Sequence, residues 1–214
     1  MKVLCICNEK GGSGKTTIAV NLAVEATLGG KKVLLIDADV QGSAFSFYEK
    51  RREFEKRPSF QCVLKPSKNL HRDVYDFENF DLVIIDTGGR DSKVFRSAIL
   101  AADFCIIPAQ PSQLDLWGVA NTLGILEEAR AYKDIGARIL LNAVPPRARI
   151  TKEASESLKE IDVPLFKTML GARVAYRESI PLGLGVSEYA PGSKAAEEIK
   201  SLYREVAEWL QGKG

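Results

Sequence analysis

The chain has 214 residues, of which 45% are hydrophobic and 27% are charged, with a formal net charge of +2 at pH 7. This size suits one compact domain spanning residues 1–214. No apolar run reaches about 18 residues, which excludes a membrane-spanning helix. The N-terminal segment does not have the features of a signal peptide, which favours a cytoplasmic protein. A charge so close to neutrality gives no general reason to expect nucleic-acid binding, which would require a local basic patch.

Short apolar runs alternate with segments of helical periodicity along the whole chain. Strands are predicted at 2–7, 32–37, 60–64, 81–86, 103–108 and 137–144. Helices are predicted at 16–28, within 42–57, and at 92–101, 115–133, 152–160 and 194–211. Strands that are apolar throughout are typical of parallel sheets covered on both faces. The alternation predicts an α/β fold with a doubly wound, mostly parallel sheet, helices on both faces and ligands at the carboxyl ends of the strands.

A glycine-rich segment lies between the first predicted strand and the first helix. It reads Lys10, Gly11, Gly12, Ser13, Gly14, Lys15, Thr16, Thr17, and its end matches the G-K-[ST] of a Walker A phosphate-binding loop. Glycines let successive backbone N–H groups face a phosphate, and the following helix adds its N-terminal dipole. Lys15 is predicted to neutralise the β- and γ-phosphates, and the Thr16 hydroxyl to ligate Mg²⁺. We therefore predict that these eight residues bind ATP or ADP with Mg²⁺.

Aspartates stand where two other predicted strands end. Asp37 and Asp39 follow the second strand, and Asp86 ends the apolar run Leu82–Ile85. In a parallel sheet these positions lie close to the glycine-rich loop. Asp86 is predicted to hold the water shell of the metal, as a Walker B carboxylate does. Asp37 could be structural or could support the site indirectly.

The glycine-rich segment departs from the common pattern GxxxxGK[ST], because Glu9 replaces the first glycine and Lys10 follows it. It resembles the deviant Walker A family, KGGxGK[ST], which includes ParA and MinD ATPases, the nitrogenase iron protein and arsenical-pump ATPases. In that family the early lysine reaches the partner's nucleotide across a dimer interface. The resemblance assigns this trans-acting catalytic role to Lys10.

The resemblance extends to several further segments. LLIDADVQG resembles the family's DxDPQ segment, with Val40 in the usual proline position, and this implies that Asp39 organises the attacking water and a Mg²⁺-bound water. Thr87-Gly88-Gly89 replaces the family's continuation after Asp86, which should make this switch-like loop more flexible. In IIPAQPSQLDLWG, Trp117 could be core or interface, and core is the preferred prediction. Asn142 corresponds to a residue that reads the adenine edge.

The resemblance covers nearly the whole chain and is greatest to small, ParF-like ParA partition ATPases, since the chain starts directly at the phosphate-loop strand. It implies a homodimer that forms on ATP binding, contacts DNA without sequence preference, associates with the nucleoid, and is released when a ParB-like or other cargo-adaptor protein stimulates hydrolysis. The cargo would be a plasmid, a chromosome or a protein cluster. The candidate DNA-binding residues are Arg147, Arg149, Arg173, Arg177, Lys194 and Lys200. Arg173 and Arg177 are expected to share a helix face.

Three other functions fit the sequence less well. A MinD-like ATPase would bind membrane through the amphipathic C-terminal segment, but the glutamates on its polar face would be repelled by anionic lipid, so no membrane partner is expected. A nitrogenase-type reductase lacks a suitable pair of cluster-binding cysteines. A metabolic synthetase is disfavoured by Lys10.

The four cysteines are Cys5, Cys7, Cys62 and Cys105. Cys5 and Cys7 should point to the same face of one strand. With no CxxC motif and one histidine in the chain, buried free thiols are predicted in preference to a metal site.

Overall fold

A computed structural model describes residues 1–53, 57–90, 92–146 and 163–212, with the side chains of 113–116 left out of the description. Its sheet contains six parallel strands in the order β3-β2-β4-β1-β5-β6. The strands are β1 (Lys2–Ile6), β2 (Val33–Asp37), β3 (Gln61–Leu64), β4 (Leu82–Asp86), β5 (Phe104–Ala109) and β6 (Gly136–Leu141). Each was predicted to within a few residues, and the parallel α/β prediction is confirmed.

The described helices are α1 (Lys15–Leu28), α2 (Ser43–Arg51), α3 (Leu70–Asp73), α4 (Lys93–Ala101), α5 (Gln113–Arg130), α6 (Val174–Ser179), α7 (Val186–Tyr189) and α8 (Lys194–Leu210). Short 3₁₀ turns follow α3 at Val74–Phe77 and α6 at Ile180–Leu182. Helices α3 and α7 were not predicted because each is too short to show a helical period. A helix in the region of α6 was implied by the helix face expected for Arg173 and Arg177, but α6 begins only after Arg173. The helix predicted at 152–160 lies outside the described residues.

Helices cover both faces of the sheet, as the doubly wound prediction requires. Successive strand residues alternate between two buried clusters, so Val3 and Cys5 pack on the side of α4 and α5, whereas Leu4 and Ile6 pack on the side of α1 and α8. Both clusters are strongly apolar, which is why the strands read as continuous hydrophobic runs.

Helix α8 packs its apolar stripe on the sheet. Ala195, Ile199, Leu202 and Val206 are buried within the cluster that also contains Leu4 and Ile6. Near the end of the helix, the Trp209 ring lies with its centroid 4.3 Å from that of Phe104. The hydrophobic side of this amphipathic helix is therefore already covered by protein. None of the described helices combines the length and apolarity needed to cross a membrane.

The strand register brings the predicted functional segments to one edge of the sheet. Asp86 pairs with Ile6 on β1 and with Asp37 on β2. The chain leaves all three strands at the same level, so the glycine-rich loop, the segment around Asp39 and the loop after Asp86 meet there.

Candidate nucleotide-binding site

The loop between β1 and α1 takes a shape that requires glycine. Gly12 and Gly14 have φ of 77° and 93°, in the left-handed region that side chains disfavour. A Cβ on Gly14 would lie 2.1 Å from the Asn142 Nδ2 atom. Gly14 also caps α1, so the loop ends at the positive end of a helix dipole, as a phosphate site requires.

Lys15 folds back over this loop from the first position of α1. Its Nζ donates a 3.0 Å hydrogen bond to the Lys10 carbonyl oxygen. The side chain is buried, and burial lowers the pKa of the Lys15 ammonium, an effect that the nearby Asp86 opposes. A buried cation beside backbone N–H groups is suited to bind phosphate oxygens.

Thr16 and Asp86 come together beside the glycine-rich loop. The Thr16 hydroxyl donates a 2.7 Å hydrogen bond to Asp86 Oδ2. Among the described residues, Asp86 Oδ1 and Ser13 Oγ are buried without a hydrogen-bond partner. Burial raises the Asp86 pKa to about 7. Hydroxyl and carboxylate oxygens are the donors that Mg²⁺ prefers, and an unpartnered buried carboxylate oxygen fits a site for Mg²⁺ or its bound water.

The two aspartates after β2 have different environments. Asp37 is fully buried and accepts hydrogen bonds from the backbone N–H groups of Asp39 and Phe45, at 3.1 and 2.9 Å. It therefore fixes the turn that leads into α2. Asp39 is partly exposed, and its Oδ1 accepts from Gln41 N at 3.0 Å. Only Asp39 presents its carboxylate to the open side of the site.

The loop after Asp86 lies directly against both the glycine-rich loop and Asp39. A Cβ added to Gly89 would stand 2.9 Å from Gly11 Cα, and one added to Gly88 would stand 3.4 Å from the Asp39 carboxylate. The two glycines therefore allow the loop after Asp86 to lie close to the glycine-rich loop and to Asp39. The sequence analysis predicted only that these glycines would make the loop more flexible.

Helix α5 contacts the other side of the glycine-rich loop, which the sequence analysis did not predict. The hydroxyl of Thr122, on α5, accepts a 3.1 Å hydrogen bond from Glu9 N. Within the loop, Asn8 Oδ1 accepts a 2.8 Å hydrogen bond from Lys10 N. A Cβ on Gly118 would be 2.8 Å from Asn8 Oδ1 and 3.0 Å from Lys10 Cβ. The glycine inside a predicted helix was the available signal for this close approach.

Trp117 is not a core residue, so that prediction is wrong. Its side chain is 64% exposed. The buried stripe of α5 contains Val119, Leu126 and Ala129. Trp117 precedes Val119 by two residues, which places it about 200° around the helix and away from the core.

A cavity of about 340 Å³ opens beside the glycine-rich loop at the end of β6. Asn142 lies on its wall and donates a 2.7 Å hydrogen bond to the Ser13 carbonyl. Gln110 donates a 2.8 Å hydrogen bond to the Gly12 carbonyl on the same wall. Tyr176 and Arg177 of α6 line the far side. The cavity is within the size range of small-molecule sites and adjoins the phosphate loop, as a base-binding pocket should.

Of the six predicted DNA-binding residues, the structure describes Arg173, Arg177, Lys194 and Lys200. Arg173 precedes α6 with an extended backbone, so it does not share a helix face with Arg177, contrary to expectation. Its guanidinium forms a 2.7 Å ion pair with Glu198 and lines the same cavity as Arg177. Lys194 and Lys200 are exposed on α8. They are six positions apart in the helix, so they point about 120° apart.

Arg147 and Arg149 lie outside the described residues. Their neighbour Pro146, however, lines a second cavity together with Arg173 and Lys194. The part of the chain that precedes Arg147 is therefore close to two of the other candidates.

Comparison with known proteins agrees with this geometry. Residues 4–184 match the family described as the CobQ/CobB/MinD/ParA nucleotide binding domain. Maintenance of carboxysome distribution protein A from Halothiobacillus neapolitanus is 31% identical over 209 residues, covering 95% of each chain. Its namesake from Gloeobacter kilaueensis is 33% identical over 213 residues, 98% of this chain and 94% of that protein. The chromosome-partitioning ATPase Soj of Thermus thermophilus is 28% identical over 240 residues, 97% and 96% of the two chains.

Solved structures share the fold. Apo McdA from Cyanothece superposes with a TM-score of 0.79 at 22% identity, covering 94% of this chain and 99% of that one. MinD of Pyrococcus horikoshii, solved with Mg-ADP, also gives 0.79, at 21% identity and 100% and 98% coverage.

The parallel sheet, the glycine-rich loop and the Thr16–Asp86 pair together define a P-loop ATPase. The chain belongs to the CobQ/CobB/MinD/ParA nucleotide-binding family, and the predicted ParA/MinD relationship is confirmed.

Proposed function

We propose that this protein is a ParA-type positioning ATPase, which dimerises around Mg·ATP, contacts DNA in that state and hydrolyses ATP when a cargo-bound partner protein stimulates it. The observation that supports this most directly is the arrangement around one loop. Lys15, the Thr16–Asp86 pair and Asp39 lie around the glycine-rich loop, where the proposal puts the phosphates, and Lys10 of the same loop is partly exposed.

Each residue has a chemical task in this proposal. Lys15 and the loop N–H groups hold the β- and γ-phosphates, while Thr16 and Asp86 hold Mg²⁺ and its water shell. When bound, Mg²⁺ would neutralise charge on the phosphate oxygens and so assist attack on the γ-phosphorus. Asp39 orients the attacking water. Lys10 contributes positive charge to the nucleotide of the second subunit, as an arginine finger does.

Asn142 is the proposed adenine contact. Its amide lies on the wall of the cavity that adjoins the phosphate loop, and it bonds directly to the Ser13 carbonyl of that loop. An amide can donate and accept at once, which matches the pattern on the edge of adenine. Because its Nδ2 already bonds the Ser13 carbonyl, the side chain is held in position before nucleotide binds.

The similarity to known proteins bears on which cargo this ATPase would position. The two carboxysome distribution proteins, at 31% and 33% identity, exceed Soj at 28%. This ordering supports a large protein assembly as the cargo and DNA as the surface on which the ATPase is distributed. Plasmid or chromosomal DNA is the other cargo that the Soj relationship supports.

The exposed cations on α8 and at the mouth of the cavity are the proposed DNA contacts. Lys194, Lys200 and Arg177 are exposed. Arg173 is a weaker candidate because Glu198 neutralises its charge at 2.7 Å. A dimer would present each cation twice to one duplex, and counterion release would make the combined site salt-dependent.

The MinD-like alternative is disfavoured by the position of α8. A membrane-binding amphipathic helix needs a free apolar face. In α8 that face is formed by Ile199, Leu202 and Val206, which are at most 1% exposed against the sheet.

A DNA titration tests the proposal. Wild type with a non-hydrolysable ATP analogue should bind a duplex of any sequence, with affinity falling as salt rises. Lys15→Ala should lose this binding. The double variant Lys194→Glu and Lys200→Glu should bind DNA at least tenfold more weakly while still binding ATP. Lys31→Glu is the matched control, because Lys31 is exposed at the opposite, amino-terminal edge of the strands. ATP-bound wild type that ignores DNA but binds anionic vesicles would replace this proposal with the MinD-like one.

A further inference from the structure

Three cysteine side chains converge in the core, outside the nucleotide site. The Sγ atoms of Cys5, Cys7 and Cys105 all lie within 4.8 Å of one another. They are 0%, 1% and 0% exposed. Within the described residues, no other group of three or more cysteine, histidine or acidic side chains brings its ligand atoms this close together.

The parallel ladder produces this convergence. Cys5 is the direct register partner of Cys105 on the neighbouring strand. Cys7 donates its backbone N–H to the Ile106 carbonyl at 3.0 Å, so it lies one step further along the same pair of strands. Because side chains alternate in a strand, all three thiols point to the face covered by α4 and α5. Sequence spacing could not show this, since the third thiol comes from a distant strand.

We propose that these three thiols form a binding site for one soft, monovalent d¹⁰ cation, for which Cu(I) is the reference ion. Thiolate sulfur selects soft ions and rejects Mg²⁺, so this site and the oxygen site at Asp86 would not compete. A metal–sulfur bond of about 2.3 Å places three sulfurs of a trigonal site about 4 Å apart. That separation is within the 4.8 Å limit observed here.

The ligand number favours Cu(I) over Zn²⁺. Zinc in structural sites takes four protein ligands, and here three thiols converge among apolar neighbours such as Val119 and Ile139. On binding, each sulfur that becomes a thiolate releases its proton to solvent, and no electron is transferred, so a site with three thiolates and one Cu(I) carries two negative charges.

The test is the anaerobic transfer of Cu(I) from its bicinchoninate complex to the protein. The transfer is measured as the loss of that complex's visible absorbance. Because the sulfurs are buried, the protein is loaded both folded and during refolding from urea. We expect one Cu(I) per chain. Cys105→Ala and Cys7→Ala should each reduce Cu(I) affinity at least tenfold. Cys62→Ala is the matched control, because Cys62 is also a buried free thiol but lies in the cluster on the other face of the sheet.

Folding of each variant is checked by Mg·ATP binding. X-ray absorption on loaded wild type gives an answer that depends on no variant, with an all-sulfur first shell expected. Three results would overturn the site: no uptake in either loading protocol, equal uptake by Cys105→Ala, or a first shell of nitrogen or oxygen.

Discussion

The hydroxyl of Thr16 and the carboxylate of Asp86 are joined by a 2.7 Å hydrogen bond that links the start of α1 to the end of β4. It connects the glycine-rich loop to the carboxylate that is proposed to hold the metal. Asp86 Oδ1, on the other side of the same carboxylate, is buried and has no partner among the described residues. Desolvation therefore acts strongly on Asp86, and its pKa is raised to about 7.

Mg²⁺ affinity should fall as the pH drops through 7. The cation needs the ionised carboxylate, so below about pH 7 it must compete with a proton on Asp86. Titration of Mg²⁺ against ADP-bound protein between pH 5.5 and 8.5 measures this. Asp86→Asn should bind Mg²⁺ weakly at every pH. A wild-type affinity that is flat across pH 7 would contradict the assignment of Asp86.

The raised pKa of Asp86 should also affect the stability of the protein without ligand. A carboxyl whose pKa is raised on folding holds its proton more tightly in the folded state, so its contribution to stability declines as pH rises from about 4 to about 7. Asp86→Asn removes this loss and should raise the free energy of unfolding at pH 8 by about 1–4 kcal/mol. Urea unfolding at pH 5.5 and pH 8 checks it. Asp76→Asn, at an exposed position, is the control.

Asp37 and Asp39 should separate into a structural and a catalytic residue. Asp39→Ala should fold normally, bind ATP and hydrolyse it very slowly, which would accumulate the ATP-bound dimer. Asp37→Ala leaves the N–H groups of Asp39 and Phe45 without their acceptor and should cost about 1–3 kcal/mol of stability. Turnover assays and urea unfolding of both variants would show which aspartate is catalytic and which is structural. Wild-type turnover by Asp39→Ala would move water positioning to another residue.

The fold was predictable because its signals are local. Apolar runs such as Leu82–Ile85 and the composition of the segment from Gly11 to Lys15 need no knowledge of the rest of the chain. The contacts of Thr122 and Gln110 with the glycine-rich loop were not predictable, because they depend on how α5 and β5 pack. The same holds for Arg173, whose ion pair with Glu198 is set by α8.

Gly89→Ala should damage the site through the backbone alone. The added methyl group would stand 2.9 Å from both Gly11 N and Gly11 Cα, and a backbone neighbour has little freedom to move aside. Either the loop after β4 or the glycine-rich loop must shift, so we expect at least a tenfold loss in ATP affinity or turnover. Gly124→Ala is the matched control, because a Cβ there meets nothing within 4 Å. Equal activity of both variants would show that the two loops need no close contact.

A complementation experiment shows whether Lys10 acts in trans. Lys10→Ala and Asp39→Ala should each bind ATP, and neither homodimer should hydrolyse it at the wild-type rate. In a mixed dimer, the nucleotide in the Lys10→Ala subunit has its own Asp39 and receives Lys10 from the other subunit. That site should be active, so mixing equal amounts before adding ATP should restore about a quarter of wild-type turnover, since about half the dimers are mixed and each has one working site. If Lys10 acted within its own subunit, both sites of the mixed dimer would lack one residue and the mixture would stay as slow as its components. Size-exclusion chromatography with a non-hydrolysable analogue confirms that dimers form, and Lys31→Ala mixed with Asp39→Ala controls for simple dilution of the slow subunit.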